Sequence, residues 1–481
     1  MEKMLEIGAK AVNYAQKLGV DEAEIFLYME NFTSVKFVGG VFASRSGAVK
    51  GIRGMLVRIA EPWIKKKGIP MITSGIRAGV GIRAVINKAI GFSSVSSLEE
   101  KRVLDAVEEA VKIAKVRPPD PNWCSLPEPE KPTHEGGIFD KKISGLDVEE
   151  MLQLCVDCCV AAGDFDKKIN QAITAVFATS TYFSIVNTRG IEMSDKGTFF
   201  SGFVSTKAKS GTEEASSSDF LTSRTFTEDV RSIAISAAQR TMECFGRKPL
   251  SKKHVGTVVF ENMSWSQLFS TIFAYGISSF NVQENRSILK GKIGKQVAKE
   301  DVSIVDDGTL PEGLGTSKID DEGVPRQKTL IIDKGVLHGF LYDNYSAKRE
   351  KQESTGNASR RKMFGAAAYA NQPKIQPSNL ILQPGNSGLE SLISEVKDGV
   401  LVKGSLIGAF HSNVVTGDFS VTAENVFKIQ NGTIVYPLKP CTIAGNFYAA
   451  LNSIVNLGND LKSFQNIMCP SVVVEKVVVS T

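Results

Sequence analysis

The chain reads as an α+β protein, two helix-plus-antiparallel-strand units followed by a β-rich mixed C-terminal domain. Three observations point there. Apolar residues at helical spacing alternate twice with runs of β-formers over the first 248 residues, and a cluster of prolines between positions 118 and 132 interrupts the pattern once. From Lys253 onward, short β-segments punctuated by Gly, Asn and Pro take over. A chain of 481 residues with 42% hydrophobic and 23% charged residues has ordinary folded-protein composition and is too long for one core. The expected divisions are 1–117, 118–248 and 249–481.

The first element places Met4, Ile7, Ala11, Tyr14, Ala15 and Leu18 on one helical face, which Gly19 stops. Residues 23–28 and 34–38 are expected to form a hairpin, with Gly39 and Gly40 as a turn signal. Gly79-Val80-Gly81-Ile82-Arg83-Ala84 fits the loose dinucleotide pattern, but residues 85–92 read as strand, turn and strand, so the helix that would meet a pyrophosphate is missing. A helix over residues 98–115 carries Leu104, Val107, Val111 and Ala114 on one face, with Glu108 placed four residues before Lys112. The prolines after Arg117 mark a linker. A third helix over 146–162 leads into strands 172–177 and 182–186 and a turn at 187–190. Val230, Ile233, Ala234, Ala237 and Cys244 then form another helical face, ending at Gly246. The order helix, paired strands, helix therefore recurs as a structural repeat. A strand over 256–260 and a helix over 264–273 open the last region.

Charge and residue usage narrow the chemistry. Lys plus Arg total 57 against 52 acids, a net charge of +5, which disfavours a dedicated nucleic-acid binder. One window is biased: residues 45–90 hold ten basic side chains and the single acid Glu61. Without an interleaved aromatic platform it reads as a solvated β-excursion rather than a nucleic-acid patch. Seven cysteines without paired spacing argue against a disulfide framework, and the start Met1-Glu2-Lys3 lacks a signal-peptide pattern, so a cytoplasmic setting is expected. The least charged stretch, 169–188, is broken by Asn170, Gln171 and Asn187 and reads as two strands and a turn, not a membrane span. Cys155, Cys158 and Cys159 share a helix with Val148, Met151 and Leu152 and lack a second ligand pair, so they read as buried thiols. His134-Glu135 does not complete a zinc-protease signature, residues 290–295 do not complete a phosphate loop, and no G-x-S-x-G occurs. Only His134, His254, His338 and His411 are available for imidazole chemistry.

Several C-terminal segments are more distinctive: Lys318-Ile319-Asp320-Asp321-Glu322-Gly323-Val324-Pro325, Leu337-His338-Gly339-Phe340-Leu341-Tyr342-Asp343, Ser354-Thr355-Gly356-Asn357, Thr416-Gly417-Asp418-Phe419-Ser420 and Thr442-Ile443-Ala444-Gly445-Asn446, then Gly458-Asn459-Asp460. With Ala23-Glu24-Ile25, Gly81-Ile82-Arg83, Ile90-Gly91-Phe92 and Val186-Asn187-Thr188-Arg189-Gly190, they resemble the TldD/PmbA family, also called modulators of DNA gyrase, over nearly the full length. The resemblance implies a cytoplasmic peptidase system in which two related chains pair and one of them bears zinc. The zinc-bearing type carries H-E-x-x-x-H on a helix just after the strand that opens the last domain, and a thiolate from a Cys-Gly-Lys segment near the C-terminus. Here Thr257-Val258-Val259-Phe260 is followed by Glu261-Asn262-Met263-Ser264-Trp265-Ser266-Gln267-Leu268, without histidine, and Gly458-Asn459-Asp460 runs on to Cys469-Pro470 without Cys-Gly-Lys. The match is therefore to the PmbA (TldE) branch, whose members hold no metal.

The expected function is that of a zinc-free subunit in a heteromeric peptidase acting on small or unfolded peptides. No cofactor is expected in this chain, and zinc is expected on a TldD-like partner. The C-terminal strands are expected to hold an extended peptide through backbone hydrogen bonds. Asp320, Asp321, Glu322, His411 and Asp418 are candidates for contacting substrate or partner, and turn chemistry is the competing role for the acids. No catalytic or metal-binding residue is expected. A homodimer is the other assembly considered, a membrane partner is not expected, and nucleic acid is disfavoured. The competing class of function is a non-enzymatic binding or regulatory protein linked to nucleic acid or gyrase.

Overall fold

A computed structural model describes residues 1–39, 70–361 and 367–481. The basic window is thus only partly visible, and its residues 45–69, like the turn signal at Gly40, lie outside the described residues.

Six antiparallel strands form the first sheet in the order β3-β2-β1-β4-β5-β6: β1 Glu22–Gly39, β2 Met71–Ile86, β3 Ala89–Val95, β4 Ile169–Asn187, β5 Glu192–Ser210 and β6 Glu213–Ser223. One face is covered by two helix pairs. Helices α1 (Glu2–Lys17) and α2 (Glu100–Val116) bury Ile7, Ala11, Val107 and Val111 over one half of the sheet. Helices α3 (Val148–Phe165) and α4 (Val230–Met242) bury Met151, Cys155, Ile233 and Ala237 over the other. Each half is thus helix, three strands, helix, and the halves join where β1 pairs with β4. The repeat read from the sequence is this arrangement.

Local chemistry sets the boundaries. Asp147 caps α3 in a reciprocal capping box with Glu150. The β2–β3 turn has Asn87 and Lys88 at φ of 50° and 66°, both left-handed, the geometry a tight two-residue hairpin demands. Gly91 lets α2 approach closely, since a Cβ there would sit 2.0 Å from the Ala110 carbonyl oxygen.

Three sequence expectations are corrected. Residues 23–28 and 34–38 are one continuous strand, β1, and the segment 169–188 likewise holds the single strand β4 instead of two strands and a turn. Glu108 accepts a hydrogen bond from the Tyr14 hydroxyl at 2.6 Å, and Lys112 pairs with Glu109. The proline-rich connection has no helix or strand between Arg117 and Asp140, yet it buries Trp123 and Leu126 against Val85. The Trp123 indole N–H and the Leu126 N–H both donate to the Glu22 carboxylate.

The C-terminal region contains a closed ring of five strands. Strand β7 (His254–Phe260) pairs in parallel with Asp398–Ile407 and antiparallel with Val472–Ser480; Cys441–Asn446 and Asp418–Gln430 complete the ring. A second six-stranded sheet packs with it around the largest core, which includes Trp265, Phe269, Phe273 and Phe447. No helix among the described residues is long and apolar enough to cross a membrane.

Candidate functional site

The helix that follows β7 is where the resemblance locates zinc in the metal-bearing type. It begins as α5 (Asn262–Leu268), passes through a π-turn at Phe269–Phe273 and ends at Ala274–Gly276. A π-turn hydrogen-bonds i to i+5, so it brings residues five apart onto one face, which is the spacing of the two histidines in H-E-x-x-x-H. The pairs spaced this way across the turn are Leu268 with Phe273 and Phe269 with Ala274. Phe269 and Phe273 stack at 4.9 Å between ring centres, and Trp265 stacks on Phe447 at 5.2 Å.

Three polar side chains of this segment, Glu261, Ser264 and Gln267, are committed to structure. Glu261 is buried and receives both terminal nitrogens of Arg240, each at 2.7 Å. It also accepts the Gly404 N–H at 2.8 Å, a group exposed by a break in register between Lys403 and Leu406. Burial opposes ionisation of Glu261, but Arg240 and the Gly404 N–H outweigh it and hold the carboxyl below the usual carboxylate range. Ser264 Oγ donates to the Gly404 carbonyl at 2.6 Å, and Gln267 Oε1 accepts the Leu406 N–H at 2.6 Å. Cys469 is buried, and burial pushes its thiol up to about 12, unsuited to serve as a thiolate ligand. Zinc needs imidazole, thiolate or free carboxylate donors converging on one point. The donors here do not fit it, and the described residues contain no group of three His, Cys, Asp or Glu able to hold a metal ion.

Asp320, Asp321 and Glu322 come together at the seam between the first sheet and the C-terminal region, all essentially without solvent contact. Asp320 accepts the N–H groups of Glu322, Val324 and Ala358, while burial and the neighbouring Glu322 push its carboxyl up. Asp321 accepts the Arg360 N–H at 2.7 Å. Glu322 accepts the Asn344 N–H and, at 2.7 Å, Nη2 of Arg83 from β2. The same nitrogen lies 2.6 Å from Glu24 of β1, whose other oxygen pairs with Arg360. The trio is thus part of a buried lattice of ion pairs that ties the sheet to the barrel region, and it does not line an open surface. Gly79 and Gly81 of the rejected dinucleotide pattern serve the same seam, because a Cβ on either would collide with Tyr369.

Asp418 and His411 lie elsewhere, at an exposed rim of the ring. Asp418 accepts from Thr416 Oγ1 at 2.6 Å and Asn446 Nδ2 at 3.0 Å, and these bonds hold its carboxyl low. Asn446 in turn caps the following helix. His411 is exposed in a short 3₁₀ turn with its ring 4.1 Å from Phe410. Of the other motif residues, His134 Nε2 lies 3.0 Å from the Ser317 carbonyl. Cys155, Cys158 and Cys159 are buried under α3, and burial raises all three thiols, Cys155 to about 11 and Cys159 to about 12.

The sequence reading missed Glu24, Arg83, Arg360, Glu261 and Arg240. Arg83 gave one signal, a charged residue inside an otherwise apolar strand pattern. Glu24 gave the same signal within residues 23–28, and Arg360, Glu261 and Arg240 gave none, since their partners lie between 21 and 336 residues away.

Comparison with known proteins gives a consistent family. Models of the PmbA/TldA metallopeptidase domain 1, central domain and C-terminal domain match residues 64–114, 141–245 and 253–481. An uncharacterized protein of Methanocaldococcus jannaschii is 30% identical over 85% of this chain and 90% of its own length. A metalloprotease PmbA homolog of Haemophilus influenzae is 27% identical over 83% of this chain and 85% of its own. Among solved structures, TldE from Thermococcus kodakarensis superposes with a TM-score of 0.81 at 24% identity, covering 99% of this chain and all of that one. A putative modulator of a DNA gyrase from Thermotoga maritima gives 0.80 at 26% identity, with 99% of each chain covered.

Proposed function

The chain belongs to the PmbA/TldA metallopeptidase family, and on that premise we propose that it is the zinc-free subunit of a heteromeric peptidase in the cytoplasm, completing its hydrolytic centre only by pairing with a zinc-bearing relative. The observation that carries this reading is the helix after β7. It carries no histidine, buries Leu268, Phe269 and Phe273 in the core and locks Glu261 onto Arg240. This chain contributes binding surface and shape; the partner contributes the metal and the reacting water. The exposed rim bearing Ile407, Phe410 and His411 suits contact with that partner, because large apolar side chains there face solvent in the isolated chain.

The test is metal analysis and peptide cleavage on the chain alone, on a TldD-type relative alone, and on the mixture. The expected result is no stoichiometric zinc in this chain, and cleavage of unfolded peptides by the mixture that a chelator abolishes. Stoichiometric zinc in the isolated chain, with unaided cleavage, overturns the reading.

A further inference from the structure

The face of the first sheet that carries no helices continues beyond the ion-pair seam, and its composition is unusual. Val176, Ala178, Phe200 and Val204 point under α3 and α4, so their neighbours along β4 and β5 point to the other side. There the register sets Phe32 beside Thr179 and Phe199, and Ser34 beside Phe177, Ser201 and Thr222. Phe203 and Phe220 form the next cross-strand pair. Phenyl and hydroxyl groups therefore alternate across four strands. The face is only partly shielded: Phe203 is 41% exposed, and Thr222 Oγ1 is buried without a partner.

One end of this face carries a positive charge that has no ion-pair partner among the described residues. The Arg224 guanidinium lies flat against backbone, where a Cβ on Gly137 or Gly197 would approach it to 2.2 and 2.9 Å. It donates to the carbonyls of Thr198 and Thr316, its Nε has no partner, and it makes no ion pair among the described residues. Asp195 is nearby, but its oxygens are taken by the N–H groups of Lys196 and Lys318. Arg361 lies over the Phe183 ring at 5.4 Å and, among the described residues, reaches Asp321 at 3.9 Å as its one ion-pair partner. Burial and then the Arg361 charge push Arg224 down to about 10, as expected for a cation awaiting an anion.

We propose that this face docks an extended, apolar-rich polypeptide whose C-terminal carboxylate seats on Arg224 and Arg361. From Gly197 to Phe203 is six residues of strand, about 20 Å, the length of an extended chain of about six residues. A chain reaching Arg224 must end there, because the packing of Phe183, Ile185 and Ile191 against Ile319 closes the face beyond it. A nucleic acid would need free cations along its whole path, whereas Arg77 over Phe32 and Lys462 over Phe220 are paired with Glu30 and Asp219, which leaves the unpaired charge at one end. The proposal rests on the subunit reading only in identifying the docked chain with the peptidase substrate.

The test is fluorescence anisotropy on the full-length chain without any partner. The probe is a six-residue peptide of alternating phenylalanine and serine, labelled with fluorescein at its N-terminus and prepared as free acid and as C-terminal amide. The free acid is expected to bind at least about tenfold more tightly, the scale of charge-assisted hydrogen bonds. Arg361→Gln should reduce acid binding to the level of the amide, and Phe203→Ser should weaken both forms while leaving the thermal midpoint of the chain unchanged. Equal binding of acid and amide, indifference to Phe203→Ser, or tighter binding of a labelled hexathymidylate overturns the proposal. An acid preference without cleavage on mixing would sink the subunit reading and leave this site standing.

Discussion

Glu261 shows how a buried carboxylate is committed to structure. Its carboxylate is bonded three times, to both arms of Arg240 and to the Gly404 N–H, which takes most of its acceptor capacity. Its folded-state pKa lies below the unfolded value, so the stabilisation is fully present above about pH 4.3 and is lost as pH falls through the folded value. Urea unfolding followed from pH 7 to pH 3 should show a steep acid decline. Glu261→Gln should flatten that decline and cost about 3 kcal/mol at neutral pH, because Arg240 is left without its anion. Arg83 presents the opposite case, one cation holding Glu24 and Glu322 together out of water. Arg83→Met leaves two carboxylates facing each other and should cost about 3–5 kcal/mol by the same measurement.

At the scale of elements, sheet and helix meet most tightly at Gly91. Gly91→Ala would drive a methyl into the Ala110 carbonyl and the Ala114 nitrogen of α2, so the helix must move away from β3. The expected loss is about 1–3 kcal/mol, read as a lower calorimetric midpoint. The helices were legible in the sequence because their apolar faces repeat without interruption, and the β2–β3 hairpin was legible because Asn87-Lys88 stands between two β-rich runs. The long strands were not. In β1 and β4 the apolar alternation fails at Asn31, Thr33, Thr179 and Ser180, which line a small cavity together with Ile143 and Leu146. Polar residues in mid-strand imitate a turn when the gap above them is unknown. That residues 261–268 contain no histidine is read directly from the sequence. The role of Asp320, Asp321 and Glu322 was not, since the cations that hold them come from positions distant in the chain.

For the whole molecule, the join between repeats matters more than either half. Strands β1 and β4 pair from Glu24 with Asn187 to Gly39 with Ala172, so a fragment ending at residue 117 would expose that entire edge. Fragment 1–117 should self-associate in light scattering at micromolar concentration, whereas fragment 1–248, with β4 to β6 in place, should remain monomeric.

The three thiols under α3 have a practical consequence. Cys124 is exposed, while Cys155, Cys158 and Cys159 are sealed in apolar surroundings that keep them protonated. An alkylating reagent should therefore modify Cys124 at once and the α3 trio only when the second repeat opens, so mass spectrometry of a labelling time course would read the opening rate of that half without any engineered reporter.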